Sequence, residues 1–185
     1  MAIVKLTKNG YAQIELNQVA WRRDGRIEAQ CRLAEADMIA ENGMLFAIDN
    51  VTRTLKNATL ALAETENIGI NYSAEHLYDE RKQGLKDFFL TGGDDFLPRL
   101  GLMAAGDKFT VNAVCYDDAT FADENAIREA LADGTPVFAG IASDGSGYWE
   151  LALTAPVAGP VARVREMTMM PDCENAGVAL VVIKA

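Results

Sequence analysis

His76 is the one histidine of this chain and the first side chain to consider for acid–base or metal chemistry. It stands next to Glu75 and three residues before Asp79, but no Gly-x-Ser-x-Gly elbow and no cysteine lies near it. A metal site would need more histidine or cysteine ligands than this segment contains. We therefore predict that His76 is a surface or hydrogen-bonded structural residue.

Three acidic clusters are the next candidates, because carboxylates bind Ca²⁺ or Mg²⁺ when several oxygens converge. They are Asp94-Asp95, Asp117-Asp118, and Asp144 at the start of an Asp-Gly-Ser-Gly segment. None of them has the alternating acidic or amide positions and the terminal Glu of a dedicated calcium loop. We interpret all three as turns, and we expect the chain to bind no metal and no cofactor.

The cysteines do not form a recognisable site. Cys31, Cys115 and Cys173 are far apart and contain no Cys-x-x-Cys spacing, which is typical of reduced thiols in a protein made in a cytoplasm. Cys115 lies on the same face of an alternating strand as Phe109 and Val111, which predicts a buried, inert thiol. The chain also lacks the glycine-rich loops that hold nucleotide phosphates. These observations favour a protein that is not an enzyme.

The two tryptophans are candidates for binding rather than catalysis. Trp21 is followed by Arg22 and Arg23, with Arg26 close behind, and Trp and Arg are the residue types enriched at the centres of protein interfaces. We predict that these four residues contact a partner. An aromatic side chain within a strand more often packs in the core, so a purely structural role for Trp21 stays open.

Charge is distributed unevenly along the chain. Residues 1–33 carry six basic and three acidic side chains, whereas residues 34–185 carry eleven basic and 24 acidic ones, and the net charge is −10. A body this acidic repels a phosphate backbone, and we therefore expect no nucleic-acid binding. The basic N-terminal segment is suited to an acidic protein surface. Its arginines could equally be solvated residues around a turn.

Turn signals and short alternating runs indicate a β-rich protein. Asp24-Gly25 between residues 13–23 and 26–33 predicts one hairpin, and residues 44–48 and 52–55 predict a second. Further strands are expected at 68–72, 108–116, 136–142, 148–153, 162–169 and 177–183, the last being continuously apolar and therefore central. Helices are expected at 123–132 and, more weakly supported, at 73–83.

These elements predict a single domain over residues 1–185, mainly β, folded as an antiparallel barrel or sandwich with one or two short helices. Residues 1–33 would form a basic N-terminal hairpin segment that docks on a partner. No apolar run approaches the roughly 20 residues that a membrane span requires, and the N-terminus lacks the pattern of a secretory signal. We therefore expect no membrane contact.

Four segments of the chain resemble a known group of proteins. They are IELNQVAWRRDGRIEAQC at 14–31, ENGMLFAID at 41–49, GDKFTVNAVCYD at 106–117 and AGVALVVIKA at 176–185. In this order they resemble small virion proteins of tailed bacteriophages that infect gut bacteria, of the type that decorates or cements the capsid. That family has no catalytic signature.

The resemblance implies a non-enzymatic β-rich subunit that binds and stabilises the capsid shell. Its partners would be the major capsid protein and copies of itself, and its location the capsid, with its acidic body favouring the outer surface, after synthesis in the bacterial host cytoplasm. The alternatives are another virion subunit (tail tube, head–tail connector or fibre base) or a glycan-binding module with Trp149, Tyr148 and Asp144 as a sugar platform. An enzyme would require a deep pocket that brings His76 together with two or more carboxylates.

Overall fold

The fold is mainly β, as the sequence predicts, with 43% strand and 9% helix in the part that the structure describes. The computed structural model describes residues 2–23, 27–28, 30–73, 89–92, 97–170 and 175–185, with backbone alone at 22–23, 27–28 and 89–90. Its elements in chain order are β1 Ile3–Lys5, β2 Ile14–Gln18, α1 Ala20–Arg23, β3 Ile27–Glu28, β4 Arg32–Leu33, β5 Ile39–Glu41, β6 Leu45–Asp49, β7 Thr54–Asn57, β8 Asn67–Asn71, β9 Phe89–Thr91, β10 Leu100–Leu102, β11 Lys108–Val111, β12 Val114–Asp117, α2 Glu124–Ala132, β13 Phe138–Ile141, β14 Trp149–Ala152, β15 Val161–Met169 and β16 Ala176–Lys184.

The larger sheet has eight strands in the order β1-β12-β14-β13-β15-β16-β11-β2. Although β12 and β11 are second and seventh in this order, only Asn112 and Ala113 separate them in the chain. One bent strand therefore occupies two places in the sheet, and the sheet must coil until those places meet. The expected single strand over 108–116 is thus two strands, with different neighbours on each side of the bend.

Asn112 stabilises this bend, and it is fully buried. Its side-chain oxygen accepts a hydrogen bond from the Gln13 amide at 2.5 Å, and its backbone oxygen accepts one from the Thr7 hydroxyl at 2.7 Å. The next carbonyl, that of Ala113, accepts the Trp149 amide at 2.9 Å. The bend is therefore fixed by the strands and loops on both sides of it.

The second sheet follows the same principle. Its six strands have the order β3-β10-β8-β6-β7-β4, and its first and last strands are separated by residues 29–31 alone. This sheet too coils until its ends approach each other. A small third sheet pairs β5 with β9. Both larger sheets are mixed, because β12 pairs with β14, and β4 with β7, in parallel.

The sequence-based strand predictions have mixed outcomes. The second hairpin is confirmed, since β6 and β7 pair antiparallel through a tight turn. The first hairpin is wrong: β2 pairs with β11, β3 with β10 and β4 with β7, and the short helix α1 lies between β2 and β3. Its expected turn, Asp24-Gly25, lies outside the described residues. The final strand is central, between β15 and β11, as expected.

Of the two expected helices, α2 is confirmed. Asp123 caps it by accepting the Ala126 amide at 2.9 Å, Ile127 is buried, and Gly134 follows the helix with a φ of 78°. The expected helix at 73–83 falls almost entirely outside the described residues. A single buried cluster contains side chains from both larger sheets.

Candidate functional site

Trp21 is in the core and does not reach the protein surface. Its side chain is 0% exposed, and its ring centroid lies 5.9 Å from that of Tyr72 and 6.3 Å from that of Phe109. Phe109 in turn lies 5.9 Å from Trp149. The four rings form a row that connects the two sheets. The prediction that Trp21 directly contacts a partner is therefore wrong, because no face of the ring is left for one.

Two neighbours place Trp21 in that row. Asp107 is buried, and its carboxylate accepts the amide of Ala20, the first residue of α1, at 2.6 Å and the amide of Ala104 at 2.7 Å. Gly101 on β10 provides the space, because a Cβ atom there would lie well within 3.0 Å of the indole. Neither contact has a local signal in the sequence, since both partners are some 80 residues from Trp21.

The arginines of the predicted site cannot be placed as side chains. The backbone of Arg22 and Arg23 completes α1, and their side chains lie outside the description, as does the whole of Arg26. Their role in contacting a partner stays a prediction. The structure adds that the backbone of Arg22 and Arg23 lies in a helix that the core contacts of Trp21 hold in place.

A second basic surface lies at the turn between β6 and β7. Val51 at its tip is 93% exposed, and Arg53 and Lys56 follow it with exposed side chains. Arg32 on β4 pairs with Thr54 in the parallel β4–β7 ladder, and therefore points to the same outer face as Lys56. We refer to Arg32, Val51, Arg53 and Lys56 as the basic tip. The basic tip was not predicted from the sequence, because β4 was expected to belong to another hairpin.

No cation of the basic tip forms an ion pair within the described part of the chain, where the single ion pair joins Lys8 to Glu124. The Asp49 carboxylate interacts with the Lys56 charge, but its hydrogen bonds are made within the turn, where it accepts the amides of Val51 at 2.8 Å and Thr52 at 3.1 Å. Hydrogen bonds from Thr52, and then from Val51, hold the pKa of Asp49 below its usual value.

The rings of the proposed sugar platform are buried. Trp149 is 0% and Tyr148 4% exposed. The Tyr148 hydroxyl donates to Glu41 at 3.0 Å, and the Lys5 ammonium lies 4.1 Å from the centre of the same ring. Burial, together with the Glu41 carboxylate, raises the pKa of Tyr148, so its phenol stays neutral. A sugar platform built on these two rings is therefore wrong.

Eight carboxylates in the described part of the chain form hydrogen bonds with the backbone. Those that accept backbone amide hydrogen bonds are Glu41, Asp49, Asp107, Asp117, Asp118, Asp123, Asp144 and Glu150. The turn interpretation is thereby confirmed for Asp117-Asp118 and for Asp144, while Asp94-Asp95 lies outside the description. In the described ranges no group of three or more His, Cys, Asp or Glu side chains is arranged to hold a metal ion.

Cys115 is buried, and its thiol is not activated. Burial, and then the nearby charges of Asp144 and Glu150, raise its pKa to about 12. The thiol is therefore protonated at neutral pH, as the sequence predicts for an inert residue. His76 and Cys173 lie outside the described residues.

A cleft of about 380 Å³ is lined by residues from both sheets, including Ile68, Leu102 and Pro160. Its charged lining residues are Glu66 and Lys184, and the Lys184 ammonium donates to the Val157 carbonyl at 3.2 Å. No helix in the described residues has the length and hydropathy to cross a membrane.

Comparison with protein families, with curated proteins and with solved structures finds no match to this chain. The class that the fold and the contacts define is a mainly β protein whose described acidic groups stabilise turns and helix ends.

Proposed function

We propose that this chain is a non-enzymatic structural subunit of a tailed-phage particle that binds and stabilises the capsid shell. The observation that carries the proposal is the structural use of the side chains that could otherwise do chemistry. Of the candidate carboxylates, those that the structure describes, Asp117, Asp118 and Asp144, accept backbone hydrogen bonds, and the Cys115 thiol is buried and protonated. Side chains used in this way give a rigid scaffold, which is what a subunit that reinforces a shell requires.

The charge distribution supports the same proposal. A net charge of −10 disfavours contact with packaged nucleic acid, whereas the basic surfaces near the N-terminal segment and at the basic tip suit an acidic protein. A molecule with such polarity is oriented as it approaches a partner of opposite charge. The resemblance to capsid decoration proteins names that partner as the major capsid protein.

Such a subunit would stabilise the shell by bridging neighbouring capsid proteins, because dissociation of the shell must then also break the bridging contacts. Particles that lack this chain should therefore release their nucleic acid at a lower temperature than complete particles do. Adding the purified chain back to deficient particles should restore the higher temperature, and bovine serum albumin at the same concentration is the control.

The decisive experiment is the copy number and position of the chain in purified particles, from quantitative mass spectrometry and cryo-electron microscopy. Hundreds of copies on the lattice would support the proposal. A few to a few dozen copies at one vertex or along the tail would replace it with a connector, tail-tube or fibre-base function. Absence of the chain from particles would refute every virion function.

A further inference from the structure

We propose that the basic tip (Arg32, Val51, Arg53 and Lys56) is a docking surface for an acidic protein surface with an apolar socket that receives Val51. The identity of the partner as capsid protein rests on the proposed function, whereas the chemistry of the contact does not. The basic tip is separate from the cluster of Trp21 and its neighbouring arginines. Three independent observations support it as a docking surface.

The first observation is exposure combined with charge. Val51 is 93% exposed at the tip of a hairpin, where a polar or small residue would expose less apolar surface to water. Arg53 lies in the same turn, Arg32 and Lys56 lie on the two strands beside it, and no carboxylate forms an ion pair with them in the described part of the chain. An exposed apolar residue near several cations is the arrangement of an interface centre with a polar rim.

The second observation is the backbone of Arg53. Its φ is 56°, and among the described residues it is the one residue other than glycine with a positive φ. Glycine or asparagine fits this conformation better, because a Cβ atom there crowds the backbone. An arginine at such a position costs stability relative to glycine, and a backbone outlier of this kind points to a role for the side chain.

The third observation is that the tip is held in one shape. The Asp49 carboxylate accepts two amides of the turn, the hydroxyls of Thr52 and Thr54 lie 2.8 Å apart, and the Arg53 carbonyl accepts the Arg32 amide at 3.3 Å. These contacts place Val51 and the arginines before any partner arrives. Binding then requires little further ordering, which favours affinity.

Charge complementarity selects an acidic protein surface as the partner. The cations of the basic tip attract such a surface at short range, where salt screens the more distant acidic groups of this chain. A nucleic acid carries negative charge along its whole length and is repelled by the acidic body, since the net charge is −10. Contact between the tip of one copy and a different surface of the next would build a ring or an open filament, whereas contact with a separate protein requires neither.

The test uses substitutions that leave the fold intact. Arg53→Gly removes the side chain and relieves the backbone, so the melting temperature should stay the same or rise, and Val51→Asp changes a fully exposed side chain. Their matched controls are Arg165→Glu, an exposed arginine on β15, and Val157→Asp, a valine that is 94% exposed. Particles produced with each variant are assayed for occupancy against the major capsid protein by mass spectrometry.

We expect both tip variants to lower occupancy about tenfold or more, and both controls to leave it unchanged. In parallel, a benzophenone amino acid placed at 51 or at 157 is photolysed in infected cells. The adduct at 51 should map to a peptide rich in Asp and Glu, and 157 should give none.

The outcomes separate this inference from the proposed function. If the wild-type chain occupies particles and the tip variants match their controls, the docking surface is refuted while the capsid function stands. If the chain is absent from particles but 51 crosslinks to an acidic peptide of another protein, the capsid function is refuted while the docking surface stands. An adduct with a second copy, or with a basic or neutral peptide, overturns the inference.

Discussion

Gly101 and Trp21 meet where the two sheets are joined, and their contact can be tested by adding one methyl group. In the Gly101→Ala variant the new Cβ would lie well within 3.0 Å of the Trp21 indole, a separation that real Cβ atoms do not adopt. The ring cannot move aside easily, because Tyr72 and Phe109 pack against it at centroid distances of 5.9 and 6.3 Å. Overpacking of a rigid core position costs about 3 kcal/mol.

The same geometry predicts that the cost depends on the size of residue 21. Trp21→Leu alone should lower the free energy of unfolding by about 3 kcal/mol, through lost apolar burial and the cavity that remains. In the double variant the added methyl group occupies part of that cavity. The two substitutions together should therefore cost about 4 kcal/mol rather than the sum of the single costs, which is a coupling energy of about 2 kcal/mol.

Urea unfolding followed by far-ultraviolet circular dichroism measures all four proteins of this cycle. Gly69→Ala on the neighbouring strand β8 is the matched control, because its Cβ would lie 3.1 Å from Leu100 and meets no aromatic ring. It should cost about 1 kcal/mol or less. If Gly101→Ala is no more destabilising than Gly69→Ala, or if the two substitutions are additive within about 0.5 kcal/mol, the proposed contact between the sheets is wrong.

Two other buried groups give predictions of their own. Asp107→Ala removes the acceptor of two short amide hydrogen bonds, at 2.6 and 2.7 Å, and should lower the free energy of unfolding by about 3–5 kcal/mol, whereas Asp107→Asn keeps one acceptor and should cost less in the same urea titration. The pKa of Cys115 is raised from 9.0 to about 12, so folding favours the neutral thiol and stability should fall as the pH rises from 9 towards 12. Cys115→Ala should flatten that fall in stability. Iodoacetamide at pH 8 should label the native Cys115 thiol no faster than the protein unfolds, and rapid labelling of the folded protein would contradict the buried site.

The elements that could be predicted from sequence are those whose signals are local. Asp49 accepts the amides of its own turn, so the hairpin β6–β7 is encoded within a dozen residues. Helix α2 likewise carries its cap at Asp123 and its stop at Gly134. The alternation and continuous apolar character of β16 identified it as a central strand.

The elements that sequence reasoning missed depend on contacts between distant residues. Asp24-Gly25 is a hairpin signal, yet the residues before it form helix α1, whose Trp21 lies in the core, and β3 and β4 pair with β10 and β7. The bend at Asn112 depends on Gln13 and Thr7, about 100 residues earlier. Nothing near either segment in the sequence reveals these partners.

The candidate sites followed the same rule. Trp21 and its arginines were found together because they are adjacent in sequence, and the structure then placed the ring in the core. The basic tip was missed because Arg32 and Arg53 are brought together by the parallel pairing of β4 with β7. A binding surface made from two segments becomes visible only when the register between them is known.

Coiling of the two larger sheets leaves little strand edge open to solvent. The strands at the ends of the two orders, β1, β2, β3 and β4, are only two to five residues long. Long free edges allow β proteins to add strands to one another and to aggregate. Neighbouring copies at high local concentration thus meet no long free edge in these two sheets through which their strands could pair.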